Sequence, residues 1–192
     1  MQATALSGGF DNPAIGSAHA FRSVMEAMAR PGRIHDIQGA VPPADLSVAA
    51  GTVLLTLCDT DTPVYLAGKA DTDDVRAWLA FHTGAPLAGP SHAMFAVGDW
   101  DALMPLGSYP VGTPDYPDRS TTLIVECATL EHSGAVLTGP GIKTKTALSL
   151  PEIVGFQDNH ALFPQGLDFI FTSGDQLAAL PRSTKIADPE TL

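Results

Sequence analysis

The segment 18–34 constrains the fold of this chain most strongly, because a helical repeat runs directly into a Pro-Gly stop. Four apolar side chains follow the i, i+3, i+4, i+7 spacing of one helix stripe: Phe21, Val24, Met25 and Met28. Pro31 cannot continue a helix, and the glycine after it tolerates a turn. We therefore expect an amphipathic helix that begins near Pro13, with Asn12 as its N-cap, and ends at or close to Arg30.

A different stripe of the same helix carries charge, because Arg22, Glu26 and Arg30 step by four residues. One exposed face then holds two guanidinium groups with a carboxylate between them. Such a pair can bind a phosphate, a phosphonate or the carboxylate of a partner protein. A solvated helix face has the same pattern, so the residues alone leave both interpretations open.

Patterns typical of strands and helices alternate along the rest of the chain. Strands are expected at 52–57, 63–66, 94–97 and 121–127, the last of them central, with a hairpin at 167–173 and 176–180. Helices are expected after Pro42-Pro43, from a Thr72 cap to Gly84, and at 99–106, with a loop at 107–119. This alternation predicts a layered α/β fold with a mostly or partly parallel sheet.

Composition indicates the class of protein. With 192 residues, 45% hydrophobic and 16% charged, the chain should form one domain with short flexible ends at about 1–8 and 187–192. No apolar run approaches the ~20 residues of a membrane span, so a cytoplasmic protein is expected. The net charge of −11 argues against nucleic acid and anionic membranes as partners. Cys58 and Cys127 lie in apolar runs and are expected to be buried thiols.

Common catalytic and metal-binding patterns are missing from the sequence. The six histidines include no pair at metal-ligand spacing, and the two cysteines form no Cys-x-x-Cys, so no metal site is predicted. Residues 134–144 end in Lys-Thr, but Pro140 and the glycine-to-lysine spacing exclude a P-loop. The ten Lys and Arg residues are scattered along the chain, so no segment of the sequence carries clustered positive charge.

Four residues outside the first helix are further candidates for contact with a ligand or partner. His82 and Thr83 lie where the helix capped by Thr72 should end, so that the dipole favours a protonated imidazole; capping is the alternative. Asp61 follows the predicted strand 52–57, at the edge where α/β sheets bind ligands, although a local Asx turn explains it as well. Arg182 follows the hairpin and forms either a local salt bridge or part of a binding site.

Six motifs, in the expected order, resemble those of one known family. They are Phe21-Arg-x-x-Met-x-Ala-Met-Ala-Arg-Pro-Gly32, the run Val-Leu-Leu-Thr-Leu-Cys-Asp-Thr-Asp-Thr-Pro-Val at 53–64, Phe81-His-Thr83, and the segments 137–142, 163–168 and 180–184. Together they extend over roughly residues 9 to 186. In these motifs the chain resembles the PhnH family, the H subunits of bacterial carbon–phosphorus lyase.

This resemblance implies a fold. It is that of pyridoxal-phosphate-dependent transferases, reduced in size: a layered α/β/α sandwich with a mixed sheet. The family is understood to keep this fold without the cofactor, so no cofactor is expected. Lys143 and Lys145 are the only lysines that we consider for a Schiff base.

The resemblance also implies a function, as a subunit of the carbon–phosphorus lyase core complex in phosphonate catabolism. That complex transfers methylphosphonate to the ribose of a purine nucleoside triphosphate and displaces the base (alpha-D-ribose 1-methylphosphonate 5-triphosphate synthase). We expect a homodimeric scaffold that binds other core subunits, contributes to a shared site and has little activity in isolation. The candidate contacts are Arg22, Arg30, Asp61, His82, Thr83 and Arg182. An autonomous small-molecule transferase of the same fold is the alternative.

Overall fold

A mixed six-stranded sheet organises the chain in the computed structural model, which describes residues 7–189. The α-helices of this part of the chain are α1 (Pro13–Ala29), α2 (Val48–Leu57), α3 (Asp73–Thr83), α4 (Trp100–Leu103) and α5 (Val154–Ala161). Its strands are β1 (His35–Asp36), β2 (Val64–Leu66), β3 (Phe95–Asp99), β4 (Thr122–Glu126), β5 (Ala135–Thr138), β6 (Thr146–Leu148), β7 (Asp168–Ser173), β8 (Gln176–Leu180) and β9 (Lys185–Ala187). The large sheet has the order β1-β8-β7-β4-β3-β2, and β6-β5-β9 form a small second sheet.

Four neighbouring strands of the large sheet, β2, β3, β4 and β7, run parallel, and β8 and β1 continue it antiparallel. The predicted central strand is β4, on which Ile124 lies opposite Val97 of β3 and Ile170 of β7. The predicted hairpin is also confirmed, as β7 and β8 pair across a turn at Gly174. The carboxyl ends of the parallel strands therefore meet at one edge of the sheet.

Successive residues of β4 point to opposite faces of the large sheet. Ile124 packs into one core with residues of α1, α2 and α3. Leu123 and Val125 pack into a second core with residues of α4, α5 and the small sheet. The predicted layered α/β fold with a mixed sheet is confirmed, but the third layer contains the small antiparallel sheet in addition to helices. The likeness to pyridoxal-phosphate-dependent transferases stays a prediction.

The strand predicted at 52–57 is wrong, because this segment belongs to helix α2. Ser47 caps the helix, since its hydroxyl accepts a hydrogen bond from the Ala50 N–H at 3.0 Å. All six residues from Ala49 to Leu54 are buried, so this helix has no polar stripe that would reveal its period. A short apolar run of this kind does not distinguish a buried strand from a buried helix. The strand predicted at 63–66 exists as β2, and it pairs with β3.

Helix α1 begins as predicted and buries a narrower stripe than predicted. The Asn12 side chain accepts a hydrogen bond from the Ile15 N–H, and the helix ends at Ala29. Its buried residues are Ala20, Val24 and Ala27. Phe21 and Met25 are instead 46% and 54% exposed. The helix thus packs towards α2 and β8 through Ala20, Val24 and Ala27, with Met28 partly buried against the same core, and leaves Phe21 and Met25 at the surface.

The bounds of α3 agree with the sequence pattern, whereas the helix predicted at 99–106 ends at Leu103. Thr72 caps α3, and Gly84 ends it in the left-handed region at φ 68°. Of the predicted flexible ends, residues 1–6 and 190–192 lie outside the described part of the chain. No helix between residues 7 and 189 is long and apolar enough to cross a membrane.

Candidate functional site

The carboxyl ends of β3, β4 and β7 open into a crevice of about 500 Å³. Open α/β sheets bind their ligands at this edge, because the loops that follow the strands diverge there. The start of α2 closes one side of the crevice. Its polar and ionisable lining side chains are Asp45, Ser47, Lys69, Asp99, Glu126 and Cys127.

Glu126, the last residue of β4, forms hydrogen bonds with two other elements at the crevice. One of its carboxylate oxygens accepts a hydrogen bond from the Ser47 N–H at 2.7 Å, at the N-terminus of α2. The other accepts a hydrogen bond from the Thr172 hydroxyl at 3.0 Å, on β7. A carboxylate at a helix N-terminus is favoured by the helix dipole. Glu126 therefore joins three elements at the point where a ligand would enter.

Two other carboxylates of the crevice also have structural partners. Asp99 caps α4 by accepting a hydrogen bond from the Ala102 N–H at 3.0 Å. Asp45 accepts a hydrogen bond from the Thr72 hydroxyl at 3.2 Å. Lys69 is exposed and supplies the positive charge of this lining. Three carboxylates against one ammonium give the crevice an acidic balance.

Cys127 is the one thiol in the crevice lining, and it is a poor nucleophile. Burial and the neighbouring Glu126 carboxylate raise its pKa to about 11. The thiol therefore stays protonated at neutral pH. Within residues 7–189 no three His, Cys, Asp or Glu side chains are grouped closely enough to hold a metal ion. The crevice lining therefore offers hydrogen-bonding groups, but its thiol is not an activated nucleophile.

The predicted residues His82 and Thr83 lie at the end of α3, away from this crevice. The His82 Nε2 atom is 3.1 Å from the Ser7 carbonyl oxygen, and its ring packs against Trp78. The Thr83 hydroxyl donates to the Leu79 carbonyl oxygen at 2.8 Å. Both side chains thus make local contacts at the helix end.

His82 also lines a second cavity, of about 570 Å³, between the first half of α1 and the ends of α2 and α3. Ala14 and Ser17 of α1 and Leu55 of α2 contribute to its walls. This cavity lies on the helical layer, not at the carboxyl edge of the sheet.

Asp61 does not lie at the carboxyl edge of the sheet, which corrects its predicted position, because it follows a helix and precedes β2. It belongs to an exposed turn after α2, the segment that was predicted to be a strand. The Asp59 side chain accepts a hydrogen bond from the Asp61 N–H at 2.9 Å, which is an Asx turn. The turn is completed by the Asp59 N–H, which donates to the Thr62 hydroxyl at 2.6 Å.

Arg182 forms the predicted salt bridge, and its partner is Asp168 at the start of β7. Its Nε and its backbone N–H both donate to Asp168 Oδ1, at 3.1 and 2.9 Å. The guanidinium group also donates to the Pro117 carbonyl oxygen and the Ser120 hydroxyl. Arg182 thereby fastens the end of the 107–119 loop to the sheet.

The two arginines of α1 remain at the surface. Arg30, the C-cap, pairs with Glu26 at 3.0 Å, and Arg22 is exposed two turns earlier. Neither lines the crevice or the cavity beside His82. The structure therefore spreads the six predicted contacts over several separate places.

A family model described as "Bacterial phosphonate metabolism protein (PhnH)" matches residues 8–187. The chain belongs to the PhnH family. It is 40% identical over 198 aligned positions to the "Alpha-D-ribose 1-methylphosphonate 5-triphosphate synthase subunit PhnH" of Rhizobium meliloti (strain 1021), covering 96% of this chain and 97% of the relative. It is 31% identical over 176 positions to the "Putative C-P lyase subunit protein HtxG" of Stutzerimonas stutzeri, covering 87% and 84%.

Sequence reasoning missed the crevice of this PhnH-family chain. Asp99 and Glu126 each end an apolar strand, and that position was a usable signal for the carboxyl edge of the sheet. The strand predicted at 52–57 placed the carboxyl edge at Asp61 instead, although that run is a helix. The contact between Glu126 and α2 depends on the tertiary fold and has no local pattern in the sequence.

Proposed function

We propose that this chain is a subunit of a carbon–phosphorus lyase core complex. In that role it helps to transfer methylphosphonate to the ribose of a purine nucleoside triphosphate, with displacement of the base. Membership of the PhnH family and the relative from Rhizobium meliloti support this proposal. The proposal includes action in the cytoplasm.

The acidic balance of the crevice is the structural observation that supports a shared site. Asp45, Asp99 and Glu126 face a single ammonium group, that of Lys69. A nucleoside triphosphate and a phosphonate are both strongly anionic, and they need clustered positive charge or a metal ion. The chain is therefore proposed to act as a scaffold that contributes one wall of a site, while other subunits supply the charge and the reactive groups.

Turnover measured with and without this chain tests the proposal. The remaining core subunits are purified and supplied with ATP and methylphosphonate, and release of adenine is followed. We expect release only when this chain is added, and none from the chain alone. Adenine release by the chain alone would favour the alternative, an autonomous transferase.

Lys143 and Lys145 do not line the crevice, so no pyridoxal phosphate is proposed there.

We further propose a homodimer through the exposed side of the helical layer. Phe21 and Met25 of α1 are 46% and 54% exposed, and Phe81 of α3 is 57% exposed. The cavity beside His82 lies between these two helices. A second copy is the proposed occupant, because the chain has 45% hydrophobic and only 16% charged residues. A stable interface of this kind buries at least ~1,000 Å².

Sedimentation of two variants tests the location of the dimer. Phe21→Glu places a charge in the proposed interface and should give a monomer at micromolar concentration. Ile15→Glu is the control, because Ile15 is also exposed (57%) but lies about 120° around α1 from Phe21. A monomeric parent chain, or a Phe21→Glu variant that remains dimeric, would contradict this proposal.

A further inference from the structure

An apolar cavity of about 330 Å³ lies between α5 and the segment 104–111. Its larger apolar side chains are Met104, Leu106, Val111, Leu162 and Leu167. Leu167 is buried, whereas Met104 and Leu162 are 42% and 48% exposed. The cavity therefore presents apolar surface that no part of residues 7–189 covers.

The exposed apolar surface continues beyond the cavity. Leu162 belongs to the run Ala161-Leu-Phe-Pro164, in which all four residues are exposed. Phe163 in this run is 57% exposed. Exposed apolar runs of this length are rare on a protein surface unless another molecule covers them. We call the cavity and this run together the α5 surface.

Asp158 supplies the charge of the cavity lining. It is exposed, and within residues 7–189 its carboxylate has no hydrogen-bond or ion-pair partner. The other polar side chain of the lining, Asn159, is buried and pairs with the backbone N–H and carbonyl oxygen of Leu167. No Lys, Arg or His of the described residues lines the cavity. The lining therefore favours an occupant that carries a positive charge beside apolar side chains.

The α5 surface lies on the opposite side of the large sheet from the proposed dimer interface. Helix α5 packs into the second core through Phe156, whereas α1 and α3 pack into the first core. A second copy of this chain does not suit the α5 surface, because in a two-fold contact the same surface faces itself. Asp158 would then need a cation from the same lining, which has none.

We infer that the α5 surface is the docking site for another subunit of the complex, which inserts an apolar side chain with a Lys or Arg next to it; this inference rests on the proposed function. A small molecule in the cavity would leave the rest of the run 161–164 exposed, whereas a protein segment covers both parts. Apolar anchors that enter pockets carry much of the affinity of protein interfaces, and complementary charges fix their register.

Binding of two α5-surface variants to the purified remaining subunits tests this inference. Leu162→Glu places a charge in the apolar wall of the cavity, and Asp158→Lys reverses the charge of the lining. Both positions are exposed, so both variants should fold, which circular dichroism verifies. We expect each variant to bind the subunits roughly tenfold more weakly than the parent chain, or more, because each change removes one anchoring contact.

The matched controls are Leu87→Glu and Asp74→Lys, which make the same chemical changes elsewhere. Leu87 is 42% exposed but lines a different cavity, beside β2. Asp74 is exposed in the first turn of α3, on the other side of the large sheet. Both controls should bind the subunits as the parent chain does.

The possible failures can be told apart. If the parent chain binds none of the subunits, both the proposed function and this inference fail. If the parent binds and both α5-surface variants bind equally tightly, only the docking inference is overturned. A loss in Leu162→Glu alone would refute the proposed cation, and an equal loss in the controls would attribute the effect to surface charge and overturn the inference. Conversion of the free chain from dimer to monomer by Leu162→Glu would make the α5 surface a contact between copies and overturn it as well.

Discussion

Replacement of Arg182 should destabilise the folded chain strongly, because its salt bridge is largely buried. The Arg182 and Asp168 side chains are 12% and 18% exposed. Removing one partner of a buried ion pair costs about 3–5 kcal/mol, because the other charge remains in a poorly solvated place. For a chain of this size each kcal/mol lowers the melting temperature by about 2–4 °C. Arg182→Ala should therefore melt roughly 6–20 °C below the parent.

The second consequence of the Arg182→Ala change concerns the 107–119 loop. The Pro117 carbonyl oxygen and the Ser120 hydroxyl both lose their donor. Trypsin should then cleave faster after Arg119, which is exposed and lies between these two groups. Arg182→Lys keeps the charge but cannot donate in several directions at once, so it should rescue only part of the stability.

The control for Arg182 is Arg76→Ala, which removes an ion pair with Asp71 at the surface. Those side chains are 48% and 35% exposed, and pairs of this kind contribute little to stability. Its melting temperature should match that of the parent. An unchanged melting temperature for Arg182→Ala, together with loss of complex assembly, would refute the structural role and return Arg182 to the candidate binding residues.

Three further outcomes follow from packing and ionisation. Gly141→Ala should destabilise the fold by about 1–3 kcal/mol, because φ is 80° and the Ala29 oxygen occupies the space; Gly89→Ala, where no atom lies within 4 Å of the added carbon, is the control for urea melts. Phe156→Ala should cost about 3–5 kcal/mol in the same assay, since its fully buried ring packs in the aromatic core; a smaller loss would contradict that packing. Burial raises the pKa of the Cys58 thiol from 9.0 to about 12, so the folded state resists deprotonation of this thiol. Its contribution to the free energy of unfolding is complete below pH 9 and should fall as the pH rises to 12. A free energy of unfolding that is constant from pH 8 to 11 would contradict this prediction.

Local sequence patterns are sufficient to predict a helix where the segment has both a cap and a polar face. Helix α3 was predicted from Thr72 to Gly84 because a hydroxyl cap, acidic first-turn residues and a terminal glycine all agree. Helix α2 lacks a polar face and was assigned to a strand. Its Ser47 cap was the available signal, but six consecutive buried residues conceal the helical period.

Elements that depend on distant partners were not predicted. Strands β5, β6 and β9 have three or four residues each and pair only with one another, across a turn and a long chain separation. Without them the second core cannot be predicted, because Leu137, Leu148 and Ile186 belong to these strands. The carboxylate of Glu126 is similar, since its role at the start of α2 depends on how the sheet and helix pack.

The six predicted contact residues also differ in whether their partners are local or distant. The salt bridge of Arg182 was one of two alternatives, and the structure contains it. Asp61 was misplaced because the strand before it is a helix. Arg22, Arg30, His82 and Thr83 lie at the surface or at helix ends, where the sequence gives the position but not the partner. Their contacts with a ligand or a partner subunit stay predictions.

The composition of the complex that forms around a tagged copy of this chain is the most direct test of its proposed role. The measurement is native mass spectrometry of the material purified from phosphate-starved cells that grow on methylphosphonate. The account predicts a defined assembly that contains the other carbon–phosphorus lyase subunits in fixed ratio, with two copies of this chain. A tagged chain that is recovered alone, from cells that are degrading phosphonate, would contradict it.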